Sequence, residues 1–307
     1  MYLVNLIISM LIICGNMSAY ADPAFHKDKY AALIVNSDTG VILHQENANL
    51  SRYPASLTKM MTLYLAFEAI SNKRLSFDSK VRVSANASKQ PRTNLALKMG
   101  EEIKIRDAVM GCIVRSANDA AVVLAEAVSG SEGTFAKLMT RRAKDLGMSH
   151  TTFQNASGLP HLEQKTSAYD MAKLAIALRR DFPQYYTLFS KTSFIFRGTK
   201  YESHNRVVKH YPGADGLKTG FVNASGFNLV TSAKRGNKKL VGIVMGGPSS
   251  QIRDYKMMNL LDRYFESPTS VKIAYNAPKV KKVSSKKKHL AKSNKPNIRK
   301  NSTRKST

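Results

Sequence analysis

The sequence is poor in several things that would announce a function. Two cysteines, Cys14 and Cys112, in 307 residues cannot supply a disulfide scaffold. The seven histidines form no H-x-x-x-H or similar pair, so hydrolysis at a metal has no evident ligand set and no metal is expected. No G-x-S-x-G occurs, which removes the usual elbow of a Ser-His-Asp esterase. The apolar run Leu3–Cys14 spans about 18 Å as a helix, well short of the roughly 30 Å of a bilayer core, so it does not read as a permanent membrane span. Acids are scarce as well: 21 Asp and Glu face 48 Lys and Arg, giving a formal charge of +27. Residues 278–307 hold twelve of those cations and no acid, which leaves +15 elsewhere. A 43% hydrophobic content is enough for a sizeable core and excludes a wholly disordered chain.

What is present begins with an address. Small residues at Ala19 and Ala21 follow the apolar run and fit the narrow subsites of a signal peptidase, so residues 1–21 are expected to be a signal peptide and the protein exported to the periplasmic or extracellular face of a bacterial envelope. Bulky Ile13 before Cys14 argues against a lipoprotein. Cleavage after Ala21 leaves Cys112 alone, and its apolar surroundings read as core.

Along the rest of the chain the period changes twice. Tyr30–Asn36 and Val41–His44 flank the turn cluster Ser37-Asp38-Thr39-Gly40 and predict a hairpin. From Ser56 an amphipathic helix is expected, and helical spacing dominates to about residue 190, in Val109–Val114, Ala117–Val128, Thr134–Leu146 and Ala168–Leu178. Strand signals return in Ser193–Phe196, Asn228–Thr231 and Leu240–Val244, before a last helix over Ile252–Phe265. Strands, helices, strands and a helix predict a sheet assembled from both ends of the chain around a helical insertion at roughly 65–190.

Three short motifs carry chemistry. In Ser56-Leu57-Thr58-Lys59 the amine and hydroxyl share a helix face, so a buried, uncharged Lys59 could take the Ser56 proton and make it a nucleophile. Ser-x-x-Lys also occurs at Ser284, Ser285 and Ser302, where lysine is merely abundant, and a capping serine with a solvated lysine is the plain alternative. Ser116-Ala117-Asn118 lies on a short connection between helical stretches. Ser116 could relay a proton there, Asn118 could hold a peptide bond, and a simple N-cap is the alternative. Lys218-Thr219-Gly220 follows a turn-rich approach to a strand: a cation and a hydroxyl for a carboxylate, then a residue without a side chain where a ligand must lie close.

The ordered set resembles the penicillin-binding and serine β-lactamase superfamily. The phrases Tyr53–Met60, Arg115–Ala120, Asn155–Pro160, Ser167–Ala172 and Asp215–Gly220 are similar to those of the low-molecular-mass D-alanyl-D-alanine carboxypeptidases over roughly residues 25–265. That resemblance implies an α/β (α+β) fold, an antiparallel sheet of about five strands flanked by helices with an inserted helical subdomain, filling residues 22–267. It implies acylation of Ser56 by a peptidoglycan stem peptide, with Lys59 as base, Ser116 as proton relay and Asn118 on the peptide. Lys218, Thr219 and Gly220 would bind the substrate's end, and the backbone N–H groups of Ser56 and Phe221 would form the oxyanion hole. β-Lactams would be covalent inhibitors.

Two rivals lie within that superfamily. A DD-endopeptidase would use the same groups. A class A β-lactamase would need a glutamate near Glu163, and Glu163-Gln164-Lys165-Thr166 lacks the matching asparagine three residues on. A nucleic-acid-binding protein is suggested by charge alone and lacks interleaved aromatics in the tail, so no nucleic acid is expected. Many relatives carry a β-rich C-terminal domain and an anchor helix. Here residues 268–307 are Lys-rich and read instead as a basic, disordered tail able to contact an anionic wall polymer or membrane surface.

Overall fold

The computed structural model describes residue 25 and residues 28–266; the expected leader (1–21) and basic tail (268–307) lie outside them. Strand β1 (Ala31–Asn36) turns back into β2 (Ile42–Glu46), as the turn cluster Ser37–Gly40 predicts. The chain then enters a 3-10 turn (Ala55–Thr58) that runs directly into helix α1 (Lys59–Ser71). The two-stranded ribbon of β3 (Lys80–Arg82) and β4 (Glu102–Lys104) brackets the short helix α2 (Ala85–Ser88). A helical block follows: α3 (Ile105–Met110), α4 (Asn118–Ser129), α5 (Glu132–Asp145), α6 (Ala168–Asp181) and the short α7 (Pro183–Tyr186).

Strands β5 (Ser193–Phe196) and β6 (Thr199–Glu202) form a separate hairpin, and α8 (Arg206–His210) leads to β7 (Ala214–Val222), β8 (Gly226–Arg235), β9 (Lys238–Gly247) and α9 (Ser250–Glu266). The five long strands form one antiparallel sheet in the order β2-β1-β9-β8-β7. The two ends of the chain therefore meet at β1–β9, as the order of periods implied. Among the described residues, no helix is long and apolar enough to cross a membrane.

Strand alternation divides the core. Leu33, Val35, Val230 and Ile243 face the helical block, while Ala32, Ile34, Leu229 and Val244 pack with Leu260 and Leu261 of α9 on the other face. Each such large side chain removed from water contributes roughly 1.5–3 kcal/mol.

Three local expectations are corrected. Ser56 does not open an α-helix; it sits in the 3-10 turn, and Lys59 is the first α-helical residue. Nor is α1 amphipathic: Lys59 to Phe67 is buried continuously, because α1 packs among α4, α5 and α6 inside the helical block. Likewise the helical run ending at Val114 leaves α geometry at Met110 and finishes as a π-turn over Gly111–Arg115.

Candidate active site

Ala55 holds a left-handed backbone (φ 49°), which turns the chain sharply and presents Ser56 at the mouth of a cleft. A non-glycine residue there costs about 1–2 kcal/mol, and the surrounding clamps hold it in place. Asn228 of β8 is one clamp: its Nδ2 donates to the carbonyls of Tyr53 (3.0 Å) and Pro54 (3.3 Å), and its Oδ1 accepts from the Gly246 N–H at 3.0 Å. A polar residue inside an apolar strand was the signal that could have found it.

Lys59 lies directly behind the serine. Its Nζ is 3.1 Å from Ser56 Oγ, 2.8 Å from Asn118 Oδ1 and 2.6 Å from the Ser157 carbonyl, and the side chain is fully buried. All three partners are uncharged. Burial, opposed by the neighbouring Cys112 thiol and the Asp119 carboxylate, brings the ammonium down to about 8. Roughly a tenth of the molecules then carry the free amine at pH 7, against about one in a thousand or fewer for a solvated lysine.

The π-turn ends at Ser116, itself left-handed (φ 59°), which directs the second motif into the cleft. A strap over residues 91–97 is tied beside it. Thr93 Oγ1 donates to the Ser116 carbonyl (2.8 Å), the Asn118 N–H donates to the Thr93 carbonyl (2.7 Å), and Asn118 Nδ2 donates to the Pro91 carbonyl (2.9 Å). The buried Asp119 carboxylate accepts from the backbone N–H groups of Leu95, Leu97 and Ala120. Both ends of the Asn118 amide are thus engaged within the protein, where the sequence had reserved them for a substrate.

Strand β7 forms the opposite wall. Lys218 is buried with Nζ donating to the Thr219 carbonyl at 2.9 Å; burial first, then the nearby Lys59 charge, hold its ammonium well below the usual lysine range. Two buried amines without a bonded carboxylate cannot both stay charged cheaply, and an arriving carboxylate would settle the charge on Lys218. Gly220 lets β7 approach the nucleophile turn: a Cβ there would lie 3.0 Å from the Ser56 nitrogen. At the β7–β8 turn the Val222 N–H points inward to Ser225 Oγ. Ladder alternation therefore turns the Phe221 N–H outward, toward the cleft and on the side of Ser56. The approach to this strand is braced by Asp215, which accepts from Arg179 and from Ser232 at 2.5 Å each.

These walls enclose a cleft of about 570 Å³ lined by Ser56, Ser116, Asn118, Thr219, Gly220 and Phe221, together with residues the sequence reading did not pick: Thr93, His204 and three arginines, Arg92, Arg206 and Arg253. Asp254 pairs with both Arg206 and Arg253, and Arg253 is almost wholly buried. Burial, then the charges of Lys218 and Arg115, pull the His204 imidazolium down. The cleft is built to receive an anion. Cys112 is core, as expected: its Sγ lies 3.8 Å from the Ala117 carbonyl and burial pushes the thiol up to about 12. Glu163 is exposed and does not line the cleft.

Comparison with known proteins returns the same family. A family model described as D-alanyl-D-alanine carboxypeptidase, peptidase S11, matches residues 18–249. D-alanyl-D-alanine carboxypeptidase DacF of Bacillus subtilis is 34% identical over 84% of this chain and 70% of its own length. DacC of Escherichia coli is 34% identical over 80% of this chain, which spans 64% of that relative. A D-alanyl-D-alanine endopeptidase of E. coli is more distant, at 29% over 70% of each chain. Among solved structures, penicillin binding protein 5 of Haemophilus influenzae superposes with a TM-score of 0.75 at 31% identity, covering 79% of this chain and 72% of that one. Penicillin-binding protein D2 of Listeria monocytogenes, in its cefotaxime-bound form, gives 0.72 at 32% identity, covering 80% and 100%.

Proposed function

The chain belongs to the D-alanyl-D-alanine carboxypeptidase family of serine peptidases, and from that premise we propose that it releases the terminal D-alanine of peptidoglycan stem peptides through an acyl-enzyme on Ser56. The observation that carries this reading is the 3.1 Å approach of a fully buried Lys59 amine to the Ser56 hydroxyl.

In the first half-reaction the uncharged Lys59 takes the Ser56 proton as Oγ attacks the penultimate D-alanine carbonyl. The oxyanion forms between the N–H groups of Ser56 and Phe221, each donor worth about 3–4 kcal/mol by analogy with other acyl-transfer sites. The peptide C–N bond then breaks. Its nitrogen takes a proton from Lys59 by way of Ser116, and D-alanine leaves. Thr219, Lys218 and the deep Arg253 guanidinium hold the substrate carboxylate, and Asn118 holds the Lys59 amine in line. In the second half-reaction water attacks the ester with Lys59 again as base, returning Ser56 and the shortened peptide. A β-lactam would enter the first half and stall in the second. No step calls for a metal or cofactor.

Residues 22–267 are proposed as the catalytic unit, residues 1–21 as an export leader that delivers it to the envelope, and residues 268–307 as a basic segment that contacts anionic wall polymer or headgroups. Mass spectrometry after benzylpenicillin treatment tests the reading: the adduct is expected on the peptide holding Ser56 and absent from Ser56→Ala. D-alanine release from a pentapeptide, exceeding cleavage of a cross-linked dimer, separates carboxypeptidase from endopeptidase; an unlabelled folded wild type would refute both.

A further inference from the structure

A second cavity, of about 460 Å³, opens between the β1–β2 turn and the last two turns of α6, and it shares no lining residue with the cleft. Lys239 and Val241 of β9 border it, whereas Gly246, farther along the same strand, is held by the Asn228 clamp of the nucleophile turn. Five to seven strand residues separate the two places, or about 20 Å. The volume lies within the range of small-molecule sites.

Its two sides carry opposite charge. On the turn side stands the Asp38 carboxylate: Lys239 Nζ holds Oδ1 at 3.0 Å, and among the described residues nothing bonds Oδ2. The turn is preformed, because Asn36 Oδ1 accepts from the N–H groups of Asp38 (3.0 Å) and Thr39 (3.1 Å). On the helix side stand Arg179 and Arg180. Asp215 and the face of the Tyr186 ring, 4.3 Å away, orient the first; Asp181, at 2.7 and 2.8 Å, orients the second. A guanidinium offers five N–H donors, more than one carboxylate engages. Between the two sides the lining is apolar, from Ala175, Ile176 and Val241. An anion alone would meet Asp38, and a cation alone would meet two guanidiniums. A molecule with an ammonium at one end and a carboxylate at the other complements both sides. A single amino acid carries both charges on one carbon, whereas a dipeptide separates them by about 7 Å and can reach from side to side. We propose that this cavity is a second binding site, for a short free peptide with both ends charged. Its amino terminus lies on Asp38, its carboxylate on Arg179 and Arg180, and its small side chains on the apolar floor.

The test is equilibrium dialysis of the full chain against labelled L-alanyl-L-alanine, its N-acetyl derivative and its C-terminal amide, with and without excess benzylpenicillin. The free dipeptide should bind saturably, one per chain, to the same extent with the antibiotic present. Removing either end charge should weaken binding about ten-fold or more. Asp38→Asn should erase the preference over the N-acetyl derivative, and Arg180→Gln should narrow the preference over the amide. Thermal unfolding and benzylpenicillin acylation, both expected to match wild type, check that the variants are intact. No saturable uptake, uptake abolished by benzylpenicillin, or equal binding of all three peptides overturns the site. So do preferences unmoved in both variants. None of these results touches the reading of Ser56, whose own failure would show as absent acylation.

Discussion

The Asn118 amide oxygen lies 2.8 Å from Lys59 Nζ, so the second motif touches the first through a buried bond and not merely across a cleft. Asn118 is therefore a positioning residue for the general base. Asn118→Asp should place a carboxylate against the amine, favour its charged form and move the alkaline-going limb of acylation upward by about one pH unit or more. Asn118→Ala should slow acylation on the order of 10²-fold with no upward shift of the limb. Second-order rates of benzylpenicillin acylation from pH 6 to 10 distinguish the two variants.

For the wild type the sign of that limb follows from Lys59 alone. Its amine must be uncharged to accept a proton, and burial sets its midpoint at about 8. Acylation should rise about ten-fold per pH unit below that value and level off above it. Lys59→Arg, always charged, should lose on the order of 10³-fold or more at every pH. A flat profile between pH 6 and 9 would mean another group takes the proton. The same shift has a stability consequence. Between about 8 and the ordinary lysine value of 10.5 the unfolded chain binds a proton that the folded one lacks, so Lys59's contribution to folding improves as pH rises through that window and is lost below it.

The periodic parts of this structure were legible because burial on both sheet faces leaves long apolar runs. The β1–β2 hairpin, α4 to α6, the cores of β8 and β9, and α9 all follow from spacing. The motifs named Ser56, Ser116, Asn118, Thr219 and Gly220, which line one cleft, and two lysines that do not: Lys59 lies buried behind it, bonded to Ser56 and Asn118, and Lys218 is buried against the Thr219 carbonyl. Illegible were features whose cause lies in tertiary contact. The 3-10 turn at Ala55 exists because Asn228 and Gly158 clamp it from distant parts of the chain. The Ser157 carbonyl on Lys59 is a backbone atom and leaves no side-chain signal. Arg253 reads as an ordinary helix cation until the fold buries it against the Asn228 carbonyl at 3.1 Å. Residues 193–196 read as part of the main sheet, yet they pair with β6 in a ribbon of their own.

Asp119 should prove structural in origin and catalytic in effect. Its carboxylate collects N–H groups from Leu95, Leu97 and Ala120, and so pins the strap that carries Thr93 and Arg92 to the cleft. Asp119→Asn offers one oxygen where two were used, and places an NH₂ against donors. A loss of about 2–4 kcal/mol in denaturant unfolding is expected, together with slower acylation. Asp119→Ala should be worse on stability, since all three N–H groups stay buried without acceptor. An Asp119→Asn protein as stable as wild type would show that the strap holds without the carboxylate.

Two glycines flank Ser56, and the same added methyl should act on them in opposite ways. Gly158 combines a left-handed backbone (φ +87°) with no room at all: a Cβ would lie 1.9 Å from the Ala55 carbonyl oxygen. Neither partner is a flexible side chain, so Gly158→Ala must displace the backbone of the nucleophile turn or of its own loop. A stability loss of about 3 kcal/mol or more is expected, with most of the activity lost as a consequence. Gly220 has an ordinary backbone, and its added Cβ would meet the Ser56 nitrogen at 3.0 Å and the Pro54 oxygen at 3.1 Å. A shift of a few tenths of an ångström relieves that contact, so Gly220→Ala should cost only about 1–2 kcal/mol of stability. The atom that must give way, however, is the nitrogen proposed above as an oxyanion donor, and acylation should fall on the order of 10²-fold. Thermal unfolding and benzylpenicillin acylation, measured on both variants, should therefore disagree: the first ranks Gly158→Ala as the damaged protein, whereas Gly220→Ala stays folded and turns over poorly. Normal acylation in a well-folded Gly220→Ala would place the oxyanion donor somewhere other than the Ser56 nitrogen.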